Sequence, residues 1–211
     1  MAESTQREEK KPVLRLASAS PRRRQLLDLI GVAHVVTPAD IDETPLPAEP
    51  PNEYVLRLAR EKAEAVWARH TDLPVLAADT TVVIDDEILG KPESEDEAHY
   101  MLGKLSGRDH LVHTAVALWS GDHQMLFHTS TQVCFAPLSR AEIQAYWESG
   151  EPRGKAGAYA IQGLGAVFVT GISGTYTGVM GLPLFETAHL LRQAGIPVWD
   201  GKLPGQGEST E

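Results

Sequence analysis

Apolar residues occur along the chain in short runs whose spacing switches between that of a strand and that of a helix. Near the start, residues 13–18 (VLRLAS) and 32–37 (VAHVVT) have the length and composition of strands. The segment between them, residues 21–30, predicts a helix that Ser20 can cap and Gly31 can end. This stretch therefore predicts a strand, a helix and a second strand.

A second helix is predicted after a proline-rich loop, with Asn52 at its N-cap. Its apolar stripe consists of Val55, Leu58, Ala59 and Val66. Position 62 lies on the same stripe and is a lysine. Lys62 must therefore either extend its ammonium group out to solvent or point it into a polar cleft.

Residues 74–85 (PVLAADTTVVID) predict an almost wholly apolar strand, of the kind found in sheets covered on both faces. A single acid, Asp79, interrupts it. A carboxylate there is costly to bury unless it is paired, bound to a metal or exposed at a cleft. Thr80 next to it is an ordinary strand residue by composition.

The second half of the chain continues the alternation of helices and strands. We predict helices ending near Leu105 and Ser149, strands at 109–119 and 125–137, short β segments with turns over 150–181, and a last helix from Pro183 to Gly195. The first two helices each begin with a possible capping box, Ser94 with Glu97 and Ser139 with Glu142. The fold class predicted is α/β.

The folded body is predicted over residues 12–200 as a single domain. Residues 1–11 and 201–211 lack apolar periodicity, so we expect a disordered N-terminal extension and a flexible C-terminal tail. No apolar run approaches the roughly 20 residues of a membrane span, and the polar start does not resemble a signal peptide. The single cysteine, Cys134, is expected in the core, which makes the cytoplasm the default location.

The formal net charge of -10 argues against binding to nucleic acid or to anionic membranes. An anionic substrate must therefore meet a local cluster of basic residues. The segment SASPRRR is a candidate, because a strand leading into a Ser-capped helix places free N–H groups beside three arginines. The alternative is a basic first turn that faces solvent.

Other polar residues have both a chemical and an ordinary interpretation. Lys91 precedes Pro92 at the mouth of a loop, where a solvated lysine is the ordinary interpretation. His110 and His113 are three residues apart in a strand and face opposite sides, so they cannot chelate one metal together. The stretch GKAGAYAIQGLG allows close approach of backbone to a ligand but matches no dinucleotide fingerprint or P-loop.

Taken in order, these segments resemble the Maf family of nucleotide pyrophosphatases. The resemblance spans residues ~13 to 192 and is carried by SASPRR, Glu43, REKA, AADTTV, GKP, LSGRDHLVHTAV, GKAGAYAIQGLG and GLPLFET. It implies a central mixed sheet with two lobes and an active-site cleft, related to the inosine triphosphatase fold. It also implies hydrolysis of a nucleoside triphosphate to the monophosphate and pyrophosphate, with Mg²⁺ or Mn²⁺ as cofactor, and a homodimer.

The resemblance assigns roles to individual residues. Asp79 corresponds to the proton acceptor, and Glu43, Lys62 and Lys91 to further catalytic residues of the cleft. Ser20, Arg22 and Arg23 fall in the phosphate-binding loop, and Arg22, Thr80 and Gln162 at positions that mark substrate preference. Asp79 and Glu43 are the candidate metal ligands. Whether Asp79 is a general base or a metal ligand stays open at this stage.

The family has branches, and the sequence at Gln162 favours one of them. Tyr159-Ala160-Ile161-Gln162-Gly163 resembles the Y-x-I-Q-G pattern of the branch that acts on dTTP and UTP. The sister branch, which prefers 7-methyl-GTP, carries an acidic residue in place of the glutamine. A nucleotide-binding regulator of cell division with slow hydrolysis is the alternative from another class.

Overall fold

One mixed β-sheet organises the part of the chain described by the computed structural model, residues 11–121 and 123–199. The elements are β1 (Leu14–Leu16), α1 (Pro21–Leu29), β2 (His34–Val36), α2 (Pro51–Trp67), β3 (Val75–Ile84), β4 (Glu87–Leu89), α3 (Glu95–Leu105), β5 (Asp109–Ser120), β6 (His123–Phe135), α4 (Arg140–Glu148), β7 (Val169–Ser173), α5 (Tyr176–Val179) and α6 (Leu184–Gln193). The predicted α/β class is confirmed. Except for residue 11, the predicted N-terminal extension and C-terminal tail lie outside the described residues.

The strands run in the order β2, β1, β3, β5, β6, β7, with β4 also paired to β3. The first three are parallel to one another, and every other pairing is antiparallel. The parallel part corresponds to the strand–helix–strand pattern at the start of the sequence, since parallel neighbours need a crossover connection. The long hairpin of β5 and β6 supplies the antiparallel part.

An opening in the sheet occurs beside β3. On that side β1 pairs only with Val75 and Leu76, and β4 pairs with Val82 to Ile84. Among the described residues, no strand pairs with residues 77–81 on this side. Asp79 and Thr80 therefore lie where the sheet is open, and their side chains point to opposite faces because successive strand residues alternate.

Both faces of β3 are covered, as the apolar strand predicted. Helix α2 covers one face, where its Val55, Ala59, Ala63 and Val66 pack with Ala77, Ala115 and Ala117 of the sheet. The opposite face contacts a larger core that includes residues of α1, α3, α4 and α6, among them Leu27, Leu102, Ile143 and Leu191. None of the described helices combines the length and apolar character of a membrane span.

The helix ends confirm some of the predicted caps and correct others. The capping box of Ser139 and Glu142 is complete. Ser94 also caps, accepting a bond from the Glu97 amide, but the Glu97 carboxylate binds the amide of Glu93 instead of closing the box.

The predicted cap of α2 and the predicted site of the cysteine are wrong, and the Ser20 cap is confirmed in position alone. Helix α2 begins two residues earlier than expected, with Pro50 at the N-cap position, because proline suits the first turn of a helix; Asn52 lies inside the helix. Ser20 holds the N-cap position of α1, but its side chain makes no capping bond. Cys134 is only partly buried on β6.

The glycine-rich stretch departs most from the sequence prediction. Instead of several short β segments, residues 150–181 form two 3₁₀ turns, Ala156–Ala158 and Leu164–Phe168, before the single strand β7 and the short helix α5. Apolar residues in this stretch enter the core through turns, so their spacing follows neither helical nor strand periodicity. This irregular segment forms one wall of the site.

Candidate active site

A cleft of about 820 Å³ lies at the opening in the sheet. Its walls come from the N-terminus of α1, the loop before α2, β3, the turn after β4, and the irregular segment 150–162. The volume is within the range of roughly 300–1,000 Å³ typical of small-molecule sites. All nine residues that the sequence assigned to the site line this cleft: Ser20, Arg22, Arg23, Glu43, Lys62, Asp79, Thr80, Lys91 and Gln162.

Asp79, Lys62 and Glu43 form a linked set at the base of the cleft. The Lys62 ammonium lies 2.6 Å from Asp79 Oδ1 and 2.6 Å from Glu43 Oε1. Asp79 and Lys62 are each only 7% exposed. Lys62 therefore does not extend to solvent, and Asp79 is buried with a partner, as the cost of burying a lone charge requires.

Glu43 connects this buried pair to the cleft entrance. Its Oε2 lies 3.7 Å from the ammonium of Lys91, which is exposed. Burial opposes ionisation of Glu43, but the hydrogen bond and charge of Lys62, with Lys91 and Arg23, lower its pKa below the ordinary value. Glu43 is thus held as a carboxylate between two lysines.

The loop that carries Glu43 is fastened to helix α2. The Tyr54 hydroxyl donates to the Glu43 carbonyl at 2.9 Å, and Arg57 donates to the Thr44 carbonyl at 3.2 Å and to Glu49 at 2.6 Å. Burial, and then the charges of Asp79 and Glu43, raise the pKa of Tyr54 to about 12, so its hydroxyl keeps its proton. Helix α2 therefore positions both Lys62 and the Glu43 loop.

Arg23 of α1 lines the cleft and donates one hydrogen bond from each of its three side-chain nitrogens. Its guanidinium donates to the Gly181 carbonyl at 2.8 Å, to Ser18 Oγ at 3.0 Å and to Thr80 Oγ1 at 3.2 Å. Burial lowers the pKa of Arg23, while the charges of Asp79 and Glu43 oppose that shift. Arg23 therefore ties α1 to β3 and to the segment before α6.

Arg22, Ser20 and Gln162 lie around the same cleft. Arg22 is partly buried, and burial lowers its pKa while the charge of Glu151 raises it. Ser20 is partly buried at the start of α1, and Gln162 is exposed at the other wall. The structure thus brings residues from opposite ends of the chain to one cavity.

Sequence reasoning missed several residues that line the cleft: Ser18, Tyr54, Glu151 and Lys155. Lys155 could have been noticed, since it lies in the GKAG segment already marked for its glycines. Burial, and next the neighbouring Arg22, lower the pKa of Lys155. Glu151 gave no sequence signal, because an isolated glutamate before a proline is typical of a solvated loop.

The cleft has a charge balance opposite to that of the chain. Among the described lining residues, five are cationic (Arg22, Arg23, Lys62, Lys91 and Lys155) and three are carboxylates (Glu43, Asp79 and Glu151). The whole chain carries a formal net charge of -10. The local cluster of basic residues that an anionic substrate needs is therefore present.

The donor set at Asp79 and Glu43 fits a magnesium-type ion that arrives with a phosphate ligand. Mg²⁺ is usually held by one or two carboxylates together with water and substrate phosphates. Among the described residues, no group of three or more His, Cys, Asp or Glu side chains forms a complete protein cage. Asp79 Oδ2 accepts no hydrogen bond from the described residues, so it is available for this role or for a water molecule.

His110 and His113, which lie outside the cleft, each have a hydrogen-bond partner. His110 Nε2 lies 2.8 Å from the Tyr159 hydroxyl, and His113 pairs with His128 at 2.9 Å. The side chains of His110 and His113 thus contact different residues.

Fold and site together define an α/β protein with a cation-lined cleft at an opening in a mixed sheet. Residues 13–194 match the family model described as Maf-like protein, and the chain belongs to this family. The resemblance stated from the motifs is confirmed.

The chain is similar in sequence to several bacterial pyrophosphatases. It is 57% identical to the dTTP/UTP pyrophosphatase of Methylobacillus flagellatus, over 87% of this chain and 93% of that protein. It is 52% identical to the dTTP/UTP pyrophosphatase of Symbiobacterium thermophilum, over 88% of this chain and 96% of that protein. Among solved structures, the Staphylococcus aureus Ham1 protein aligns with a TM-score of 0.44 and 16% identity, over 58% of this chain and 71% of that one, which is too low to establish a common fold by itself.

Proposed function

We propose that this protein hydrolyses dTTP and UTP to the nucleoside monophosphate and pyrophosphate. The observation that carries the proposal is the buried Asp79–Lys62–Glu43 set at the base of a cation-rich cleft. The names of relatives that are 50–57% identical over most of the chain support the choice of substrate.

In the proposed reaction, a water oxygen forms a bond to the α-phosphorus while the bond from that phosphorus to the bridging oxygen of pyrophosphate breaks. Asp79 Oδ2 accepts the proton of the water. Lys62 holds the other oxygen of Asp79, which fixes the orientation of the carboxylate. Positioning and charge stabilisation are the main contributions an enzyme makes to such a transfer.

The cations have separate tasks around the triphosphate. Lys91, Arg22 and Lys155 lie at the cleft wall and offset charge on the phosphates, while Arg23 mainly holds the walls together. Glu43, beside Asp79, would hold a divalent ion that arrives with the substrate, and the ion would offset charge on the leaving pyrophosphate.

Gln162 is the residue we propose to read the base. Uracil and thymine present an imide N–H flanked by carbonyl acceptors, and a glutamine amide carries both an acceptor and donors. A carboxylate at this position would accept the imide proton but repel the neighbouring carbonyl. Guanine, with two adjacent donors, suits the carboxylate instead.

The function is tested with a panel of nucleoside triphosphates, with separate detection of phosphate and pyrophosphate. We expect pyrophosphate from dTTP and UTP at turnover numbers of ~1 s⁻¹ or above. Tight binding without turnover would instead indicate a nucleotide-binding regulator. A preference for 7-methyl-GTP would place the chain in the sister branch.

The base-reading role is tested with Gln162→Glu, with the exposed Gln124→Glu on β6 as the matched control. We expect kcat/KM for dTTP and UTP to fall by ~10² or more in the cleft variant, because the bound base loses a hydrogen-bond donor opposite its carbonyl and meets a negative charge instead. The ratio of kcat/KM for UTP to that for 7-methyl-GTP decides the matter. An unchanged ratio would mean that Gln162 does not read the base.

We further propose a homodimer in the cytoplasm that binds neither nucleic acid nor membranes. The resemblance to the family supports the dimer, and the net charge of -10 supports the lack of binding to polyanions. Light scattering on the purified full-length chain checks the mass, and a filter-binding assay with DNA and RNA checks the second point.

A further inference from the structure

The segment that carries Gln162 is held from behind by Tyr146 and Glu151. Gln162 itself is exposed, and nothing in its own side chain fixes where it lies. Its backbone belongs to residues 160–165, an irregular stretch that joins two 3₁₀ turns and lacks strand pairing. A residue that recognises a base needs a fixed position. The position of Gln162 therefore depends on the contacts that its backbone segment makes with the rest of the protein.

The Glu151 carboxylate binds one end of this stretch with both oxygens. Its Oε2 accepts the Leu164 amide at 2.9 Å, and its Oε1 accepts the Gly165 amide at 2.9 Å. Gly163, which has a φ of +150°, passes so close that a Cβ there would overlap the carboxylate. The backbone is therefore shaped around Glu151.

Tyr146 of α4 binds the other end of residues 160–165 and also holds the Glu151 carboxylate. Its hydroxyl donates to Glu151 Oε1 at 2.8 Å and accepts the Ala160 amide at 3.0 Å. The side chain is 4% exposed, and its ring packs edge-on against Phe168 at 5.0 Å between centroids. A rigid helix thus fixes both Ala160 and the carboxylate that holds Leu164 and Gly165.

The same carboxylate and Arg22 line one cleft. The charge of Glu151 raises the pKa of Arg22, and the charge of Arg22 contributes to lowering that of Glu151. Burial opposes ionisation of Glu151, but the two backbone amides and the Tyr146 hydroxyl outweigh it. Glu151 is thus hydrogen-bonded to the segment that carries Gln162, and its charge also acts on Arg22.

We propose that Glu151, oriented by Tyr146, is a positioning residue that sets base selectivity by fixing the Gln162 segment relative to Arg22. Glu151 acts through Gln162 and takes no part in the hydrolysis at the α-phosphorus. The inference rests on the proposed function, since it concerns how the same cleft distinguishes a uracil from other bases.

The test is Glu151→Gln. The amide keeps the shape but has one acceptor oxygen where the carboxylate has two, so one backbone N–H meets an NH₂ group instead of an acceptor. We expect KM for UTP to rise about tenfold with kcat changed less than threefold. We also expect the ratio of kcat/KM for UTP to that for CTP to fall about tenfold, because CTP differs at the edge of the base.

Tyr146→Phe is the second variant, and it removes a single hydroxyl in case Glu151→Gln does not fold. We expect the same direction of change in selectivity. The matched control is Glu148→Gln, an exposed glutamate at the end of α4, which should leave both ratios unchanged. A merely structural role would lower kcat for all nucleotides in parallel and leave the ratio as it is; that result overturns the inference.

Binding measurements separate this inference from the proposed function. Titration calorimetry gives Kd for UTP and CTP without turnover. If the parent releases pyrophosphate and Glu151→Gln keeps the parent selectivity, the inference fails and the function stands. If the parent binds UTP over CTP without turnover and the variant loses that preference, the function fails and the positioning role stands.

Discussion

At the scale of single residues, Asp79 and Lys62 can both be buried because each carries the charge that neutralises the other. Either charge alone, placed among the alanines and valines between α2 and β3, would be costly to bury, and together they are close enough for a short hydrogen bond. Glu43 adds a second partner to the same ammonium. The arrangement keeps a carboxylate at the base of an otherwise apolar wall.

Asp79→Asn should keep the fold and nucleotide binding but lower turnover by ~10² to 10⁴, the range for loss of a general base. The fold is retained because Lys62 remains paired with Glu43. Steady-state kinetics and UTP titration measure the two effects. Asp86→Asn, in the exposed turn after β3, is the control and should match the parent. Turnover of Asp79→Asn within threefold of the parent would contradict its role as base.

The lowered pKa of buried His110 should make the stability of the fold depend on pH. Burial lowers its pKa from 6.5 to about 4, so below pH 6.5 the unfolded chain binds a proton that the folded protein does not. This contribution therefore makes stability fall as pH decreases from about 6.5 towards 4. Between pH 7 and pH 5 we expect a loss of about 2 kcal/mol from this residue.

Urea unfolding of the parent and of His110→Gln at both pH values measures this contribution. The variant has no group at this position that titrates, so its free energy of unfolding should decrease by about 2 kcal/mol less over the same interval. The lowered pKa values of His113 and His128 act with the same sign in both proteins and cancel in the comparison. Equal slopes would show that His110 is not buried as a neutral group.

At the scale of elements, the site depends on two very short strands. β1 and β4 have three residues each, and each pairs with only one end of β3. The GKAG turn lies against this part of β3: the Gly157 amide donates to the Gly90 carbonyl at 3.0 Å, next to Lys91. One turn therefore fixes the relative positions of Lys155 and Lys91.

Gly157→Ala should destabilise the protein, because a Cβ there would lie 2.9 Å from three atoms of Val82. The matched control is Gly154→Ala, with a similar φ of +68° but nothing within 4 Å of the added carbon. We expect Gly157→Ala to be less stable than the control by about 1–3 kcal/mol, the usual cost of overpacking. Denaturant unfolding measures both. Equal losses would mean that backbone strain alone requires glycine at position 157.

At the scale of the whole molecule, an acidic protein concentrates cations in one cavity. The surrounding negative charge disfavours large polyanions, while the five cleft cations attract a small anion that can enter. The two carboxylates at the base of the cleft would repel a bare triphosphate. A divalent ion that accompanies the substrate would remove that repulsion.

Excess EDTA should abolish pyrophosphate release from UTP, and added Mg²⁺ or Mn²⁺ should restore it. The reason is that pyrophosphate leaves poorly unless its charge is offset. EDTA already saturated with Mg²⁺ serves as the control for inhibition by the chelator itself. Full activity in excess EDTA would show that the protein cations suffice.

Much of the fold was predictable because periodicity and caps are local properties. The alternation of strands and helices, the doubly covered β3, and the Ser139–Glu142 capping box all follow from neighbours in sequence. The glycine-rich wall was not predictable, since its turns depend on contacts with β3 and α4. The start of α2 was predicted wrongly because both Asn52 and the two prolines before it are residues typical of a helix N-terminus, and the helix begins at the prolines.

The sequence by itself determined the α/β class, the family and nine of the residues that line the cleft. These features could be predicted because motifs and the spacing of apolar residues are properties of the sequence itself. Only the tertiary structure decided that Lys62 pairs with Asp79, that Arg23 links three segments, and that Glu151 holds the Gln162 segment. These contacts join residues that are 13 to 158 positions apart, and their geometry depends on the opening in the sheet, which no local pattern encodes.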